Sequence, residues 1–399
     1  MLFKCYCRIY QAAFRIAVKF LRWRKPVLIE GENCYKQLAD ILKQKNWSPV
    51  MLVTDKNLYG MGMCAGLEEQ LSAAGIPYCI YKEVQPNPTI DNVEAALAVY
   101  TDNKCKAIIA LGGGSPMDCA KGAAARAARP KKSIKQMAGV LKVRKTLPPL
   151  FAVPTTAGSG SETTLAAVIT DSATHRKFAI NDVKLIPRYA VLEPALTVNL
   201  PVHITSTTGV DALTHAIEAY IGGSNTRETK HNAERAFKLI KENLFAAYTN
   251  GKDLTARRNM LLASHYAGLA FRRAYVGNVH AMAHTLGGLY GVPHGLANAV
   301  LLPWVLEYYG KAVYKKLAQI ADIMEVGGGR TAQEKAQALI AYIRDLNAKM
   351  KIPAKIEGIK DEDIPKMIGF ALAEANPLYP VPVIFTRDDF KNVFQMIKA

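Results

Sequence analysis

Residues 106–122 read KAIIALGGGSPMDCAKG, and the fold turns on how this stretch divides. KAIIAL is a short apolar run, GGGS is a turn, and the remainder has helical spacing, so the stretch reads strand, tight turn, helix. Three glycines let the backbone turn sharply and approach a ligand with no Cβ in the way. Ser115 is expected as the N-cap, Pro116 as the first helical residue and Asp118 in the first turn. A helix starting there points free N–H groups and its positive dipole end at whatever lies above, which favours phosphate. The run is neither a GxGxxG fingerprint nor a GxxxxGK[ST] loop, and a purely structural turn fits the same residues.

Its surroundings repeat the plan. VMLVT (50–54) ends at Asp55, IPYCIY (76–81) follows a helical pattern, and LFAVP (150–154) runs into TTAGSGSE. Such alternation implies a parallel sheet covered by helices, with ligands at the carboxyl ends of the strands, where Asp55, Gly112 and Thr155 emerge. Asp55 could accept from ribose hydroxyls and would repel a 2′-phosphate, favouring NAD over NADP; a turn or cap is its plainer role. Thr155, Thr156 and Ser159 offer hydroxyls to phosphate or ribose, or form an ordinary hydroxyl-rich turn. Beyond about residue 200 the spacing becomes helical (206–221, 228–248, 253–271). The expected organisation is an extension at 1–25, an α/β dinucleotide-binding domain at 26–200 and an all-helical domain at 201–399, with a cleft between the two domains.

Charge narrows the class. The formal net charge of the 399 residues is +18, and it is concentrated. Residues 1–25 hold seven Lys or Arg and no acid, and residues 119–161 hold nine and no acid. No helix-turn-helix signature, zinc finger or aromatic platform accompanies them, so a nucleic-acid partner is not expected. On a helical wheel Arg8, Arg15, Lys19 and Arg22 fall within about 60°, with Ile9, Ile16, Phe20 and Trp23 roughly opposite. This basic amphipathic pattern suits a helix packed on the protein or a second subunit, an anionic membrane surface, or an import signal. Seven cysteines (5, 7, 34, 64, 79, 105, 119) form no CxxC pair. Reduced thiols in a cytoplasmic compartment are the expectation.

Histidine is scarce, yet three of eight fall within VHAMAHTLGGLYGVPHG (279–295). His280 and His284 are four apart and share a helical face; Gly287 and Gly288 look like a weak point, and His294 sits in a Pro-His-Gly turn. TTGVDALTHAIEAY (207–220) adds Asp211 and His215, also four apart. A carboxylate with two or three imidazoles suits a borderline-soft divalent ion such as Fe²⁺ or Zn²⁺, although spacing alone does not say which histidines take part. His175, His203, His231 and His265 stand alone.

Taken together, GGGSPMDCAK, PTTAGSGSE, the Asp211/His215 pair and HAMAHTLGGLYGVPHG resemble the iron-containing (group III) alcohol dehydrogenases, over roughly residues 26–399. The resemblance implies an α/β domain with a parallel sheet plus an all-α metal domain, a plan shared with dehydroquinate synthases. It implies Asp211, His215, His280 and His294 as metal ligands and places His284 near nicotinamide and substrate, as a proton relay or a structural neighbour. Asn87, Gly113, Gly114, Ser115, Asp118, Thr155, Thr156 and Lys177 match family cofactor positions. The resemblance does not account for residues 1–25 or for a basic linker at 126–145.

The implied activity is hydride transfer between NAD(H) and a small primary alcohol or aldehyde held at Fe²⁺ or Zn²⁺, in a homo-oligomer, a dimer. A dehydroquinate-synthase-like lyase using NAD transiently is the rival enzyme, and a membrane-surface scaffold with an inactive cleft is the rival outside enzymes.

Overall fold

In the computed structural model, residues 2–21, 23–31, 34–174 and 176–399 are described. Arg22, on the predicted basic face, and His175 lie outside them. The chain divides into two compact units, Arg22–Val198 and a second formed by Met1–Leu21 with Asn199–Ala399.

Among the described residues the first unit holds nine strands: β1 (Val27–Glu30), β2 (Val50–Val53), β3 (Tyr78–Tyr81), β4 (Ala107–Gly112), β5 (Gly139–Val140), β6 (Leu150–Pro154), β7 (Ala166–Asp171), β8 (Arg176–Asn181) and β9 (Tyr189–Leu192). Six form an entirely parallel sheet in the order β1-β9-β6-β4-β2-β3. β2, β4 and β6 are buried along their whole length, which is why they read as continuous apolar runs rather than alternating ones. Met51, Val53, Ile108, Ala110 and Ala152 fill the core on one face; Leu52, Ile109, Leu111, Phe151 and Val153 fill it on the other. Register aligns the strand ends: Val53 pairs with Ala110, and Gly112 with Pro154. The segments starting at Asp55, Gly113 and Thr155 therefore leave the sheet side by side.

A smaller sheet, β5-β8-β7, was not foreseen. It gives the basic stretch 126–145 a fixed place where a linker was expected. Arg126 bonds Glu94 at 2.6 Å, Lys135 reaches Asp171 at 2.7 Å, and the amides of Val143 and Arg144 donate to Asp182.

The second unit is helical. The helix Val202–Ile221 is buried over most of its length and packs on Arg227–Thr249, Leu254–Ala274 and His294–Tyr309. Gly209 allows this closeness, since a Cβ there would lie 2.2 Å from Leu244 Cδ1. The helix Asn278–Tyr290 runs unbroken through Gly287 and Gly288 and ends at Gly291, in the left-handed region at φ +66°. The break thus falls three residues later than the glycine pair suggested, and His294 opens the next helix instead of sitting in a turn. The N-terminal helix Leu2–Ala17 packs within this unit. Among the described residues no helix is long and apolar enough to cross a membrane.

Candidate metal centre and cofactor cradle

One donor cluster lies in the helical unit. Asp211 and His215 occupy successive turns of Val202–Ile221, His280 lies on Asn278–Tyr290, and His294 is the first residue of its helix. One ligand atom from each comes within 4.8 Å of all the others. Asp211 Oδ1 is 3.9 Å from His280 Nε2 and 3.6 Å from His294 Nε2, and Asp211 Oδ2 is 3.9 Å from His215 Nδ1. One carboxylate and three imidazoles converging in this way are a donor set fitted to a first-row divalent ion. Burial and the neighbouring imidazoles hold His280 well below its ordinary pKa, so it presents a neutral ring and not a competing cation.

Three supporting residues were missed in the sequence. Glu218 lies a turn beyond His215; its Oε2 is 2.6 Å from His280 Nδ1, and it accepts the Gly277 and Val279 amides at 2.8 Å. With Nδ1 held by Glu218, His280 turns Nε2 toward Asp211. Asn298 Nδ2 lies 2.6 Å from Asp211 Oδ1, 3.2 Å from His280 Nε2 and 3.1 Å from His294 Nε2. Phe271 stacks on His215 at 4.2 Å between ring centroids. The spacing Asp211, His215, Glu218 (i, i+4, i+7) was a readable signal for the first of these.

His284 is turned to other partners. Its Nδ1 lies 2.5 Å from Glu374 Oε1, an oxygen that also accepts from the Tyr379 hydroxyl at 2.8 Å. The ring is half-exposed and stacks on His294 at 5.1 Å. His203 and His231 are exposed, and His265 is buried against Tyr266 at 5.8 Å.

The strand-end loops form a second constellation, in the sheet unit. The helix Gly114–Ala128 is capped by Gly113, with no side-chain cap, so Ser115 is inside the helix and not the predicted N-cap. Its hydroxyl instead accepts the Asn87 amide at 3.2 Å. Asn87, at φ +58°, takes a bond from Lys177 Nζ at 2.8 Å through Oδ1, joining β8, the 85–89 turn and the helix start. Without a capping side chain the first N–H groups of this helix stay available to an anion. The Thr155 amide donates to Gly112 O at 3.1 Å, and a Cβ on Gly113 would sit 3.7 Å from Thr156 Oγ1, so the two loops touch. Ser159 Oγ accepts the Ser161 amide at 3.3 Å. Asp55 caps the short helix Lys56–Gly60 by accepting from Leu58 N at 2.9 Å, the plainer of its two expected roles.

Asp118 points away from the helix start and accepts the Val168 amide of β7 at 3.1 Å; burial raises its pKa to about 6 despite Lys121. Lys121, counted in the sequence only as one of the nine cations of 119–161, is fully buried, and its ammonium reaches Ser161 O and Thr164 Oγ1 at 2.8 Å and Ala166 O at 3.0 Å. It fastens the loop after β6 to the helix after β4.

Comparison with known proteins agrees with this geometry. Residues 26–194 match the family described as iron-containing alcohol dehydrogenase, and residues 205–397 match the Fe-containing alcohol dehydrogenase family, C-terminal. The chain is 40% identical to 1,3-propanediol dehydrogenase of Klebsiella pneumoniae, covering 87% of this chain and 90% of the relative. It is 38% identical to alcohol dehydrogenase 4 of Saccharomyces cerevisiae, over 91% and 94%. A solved structure of a 1,3-propanediol oxidoreductase superposes with a TM-score of 0.90 at 37% identity, covering 95% of this chain and all of that one.

Proposed function

Because the chain belongs to the iron-containing alcohol dehydrogenase family, we propose that it interconverts a small primary alcohol or short diol with its aldehyde, using NAD(H) at an Fe²⁺ centre. The four-donor cluster of Asp211, His215, His280 and His294 carries this reading. A divalent ion held by these four residues would supply Lewis acidity toward a substrate hydroxyl near neutral pH, and a bound nicotinamide would supply the hydride acceptor. Glu218 holds the His280 ring through Nδ1, and Asn298 donates to Asp211 Oδ1.

His284 is the proton relay of the proposal. Glu374 accepts its Nδ1–H, which leaves Nε2 with a lone pair to take the proton of the substrate hydroxyl. In the sheet unit, the uncapped start of Gly114–Ala128 and the hydroxyls of Thr155, Thr156 and Ser159 suit the pyrophosphate. Asn87, Ser115 and Lys177 shape the rim. Asp55, after β2, favours the unphosphorylated ribose of NAD over NADP. Asp118 supports the cradle through β7.

The relatives reported above are dehydrogenases and not lyases, and the intact donor set counts against an inactive scaffold. The test is an NAD(P)H-linked screen of short alcohols and aldehydes on metal-free protein restored with Fe²⁺ or Zn²⁺. Net NADH formation with a primary alcohol, restored best by Fe²⁺ and weak with NADP, is the expected result. Turnover without net reduction of NAD would favour the lyase. The reading includes a homodimer, which light scattering measures directly.

A further inference from the structure

The N-terminal helix Leu2–Ala17 has three faces with different fates. Cys7, Gln11 and Phe14, with Val18 just beyond, follow one another at four, three and four residues and turn inward. Gln11 donates to the carbonyls of Pro377 and Tyr379 at 3.2 and 2.7 Å, and Phe14 packs on Tyr275 at 5.8 Å. A second face is basic. Arg8 donates to Val381 O and Pro382 O at 2.7 and 2.8 Å, Arg15 donates to Gly223 O at 3.3 Å, and Lys4 and Lys19 are exposed.

The third face is apolar and turned to solvent. Leu2, Tyr6, Ile9, Ala13 and Ile16 repeat at four and three residues, and Phe20 follows. Leu2 is 88% exposed, Ile9 65%, Ile16 58% and Phe20 83%. An amphipathic helix normally buries its apolar stripe and shows its polar face; here the buried seam is narrow and the widest apolar stripe faces water. A contiguous exposed patch of this kind marks an interaction surface.

We propose that this stripe rests on an anionic lipid bilayer. Residues 2–20 carry Lys4, Arg8, Arg15 and Lys19 and no acid, so the surface around the stripe complements anionic headgroups. Pairing the stripe with a second copy of itself would instead bring two such basic segments together. Tyr6, Tyr10, Phe3 and Phe20 suit the headgroup boundary, where aromatic rings keep one side apolar and the other wet. The inward face stays seated on residues 376–382 throughout, so the helix meets lipid without leaving the protein. The protein would lie on the membrane and not span it.

Removing residues 1–25 would uncover the 376–382 segment, so the test uses point variants of the full chain. Co-sedimentation is measured with phosphatidylcholine vesicles with and without phosphatidylglycerol, at low and raised salt. The expected result is binding to the anionic vesicles alone, weakened by salt. It is abolished in Ile9→Glu/Ile16→Glu and reduced about fivefold per charge removed in Lys4→Gln/Lys19→Gln. Alcohol dehydrogenase activity and Tm of both variants should stay at wild-type values, since none of these residues belongs to the metal centre or the cradle. Equal binding to neutral vesicles, no binding, or binding unaffected by Ile9→Glu/Ile16→Glu would overturn the proposal. So would an oligomer that dissociates in that variant without any vesicle binding, which would assign the stripe to a second copy.

Discussion

Glu218 Oε2 lies 2.6 Å from His280 Nδ1, with both side chains buried and the Gly277 and Val279 amides aimed at the same carboxylate. That contact fixes which imidazole nitrogen faces Asp211. Replacing Glu218 with Gln keeps the volume but puts an amide NH₂ where three donors converge. Metal affinity should fall about 10–100-fold. The unpaired buried N–H groups should cost about 1–3 kcal/mol of stability. Metal content by mass spectrometry and thermal unfolding of the metal-free protein check both; unchanged content would detach Glu218 from the centre.

His284 and His294 stack at 5.1 Å, yet different losses are expected from them. His294→Ala should lose metal. His284→Ala should keep metal and lose about 10²–10⁴-fold in kcat, the usual range for one acid–base group. Glu374→Gln, which disturbs the Nδ1 partner, should lower kcat less and change the pH profile. Metal-replete His284→Ala with unaltered turnover would end the relay assignment.

The buried pair also sets a pH dependence for metal binding. Burial pushes the Glu218 carboxyl up to about 8 against the pull of its backbone donors, and His280 stays neutral. Below that pH the pair holds two protons, one on neutral His280 and one on Glu218, and one of them must leave when His280 gives Nε2 to a metal while Nδ1–H faces an ionised Glu218. Proton release on binding means that affinity rises with pH. Apparent Zn²⁺ affinity should therefore climb by up to about tenfold per unit toward pH 8 and flatten above it. Competition titration with a chelator of known affinity measures this, and a flat profile would show that Glu218 is already ionised and the pair releases no proton on binding.

Much of this was legible in the residues, for identifiable reasons. The central strands showed as apolar runs because they are buried on both faces, and the helix Val202–Ile221 because its residues from 206 on fall at helical spacing. What escaped were features fixed by distant chain. Nothing near His284 announces Glu374, ninety residues on, and nothing near Lys121 announces the carbonyl and hydroxyl oxygens of 161–166. Ser115 looked like a cap because its residue type favours one; Gly113, two residues earlier, took the position, leaving the hydroxyl for Asn87. On the N-terminal helix, periodicity found the basic and apolar faces but gave no sign that a third, narrower seam docks it.

Gly295 illustrates the same limit and yields a last test. The Pro-His-Gly sequence suggested a turn, but Gly295 lies in the helix His294–Tyr309 and is not among the positive-φ residues. It is required by closeness: a Cβ there would stand 2.7 Å from the Thr207 carbonyl oxygen and 3.0 Å from its carbon. Backbone cannot step aside as a side-chain tip can. Gly295→Ala must therefore push the start of the His294 helix away from the Asp211 helix, opening the 3.6 Å approach of His294 Nε2 to Asp211 Oδ1. Overpacking of this kind costs about 1–3 kcal/mol, and metal affinity should fall with it. Gly288→Ala is the matched control, because a Cβ there meets nothing within 4 Å inside a continuous helix. That variant should gain up to about 1 kcal/mol from helix propensity and bind metal normally. Thermal unfolding and Zn²⁺ titration of the pair distinguish the two cases, and equal behaviour would refute the packing argument.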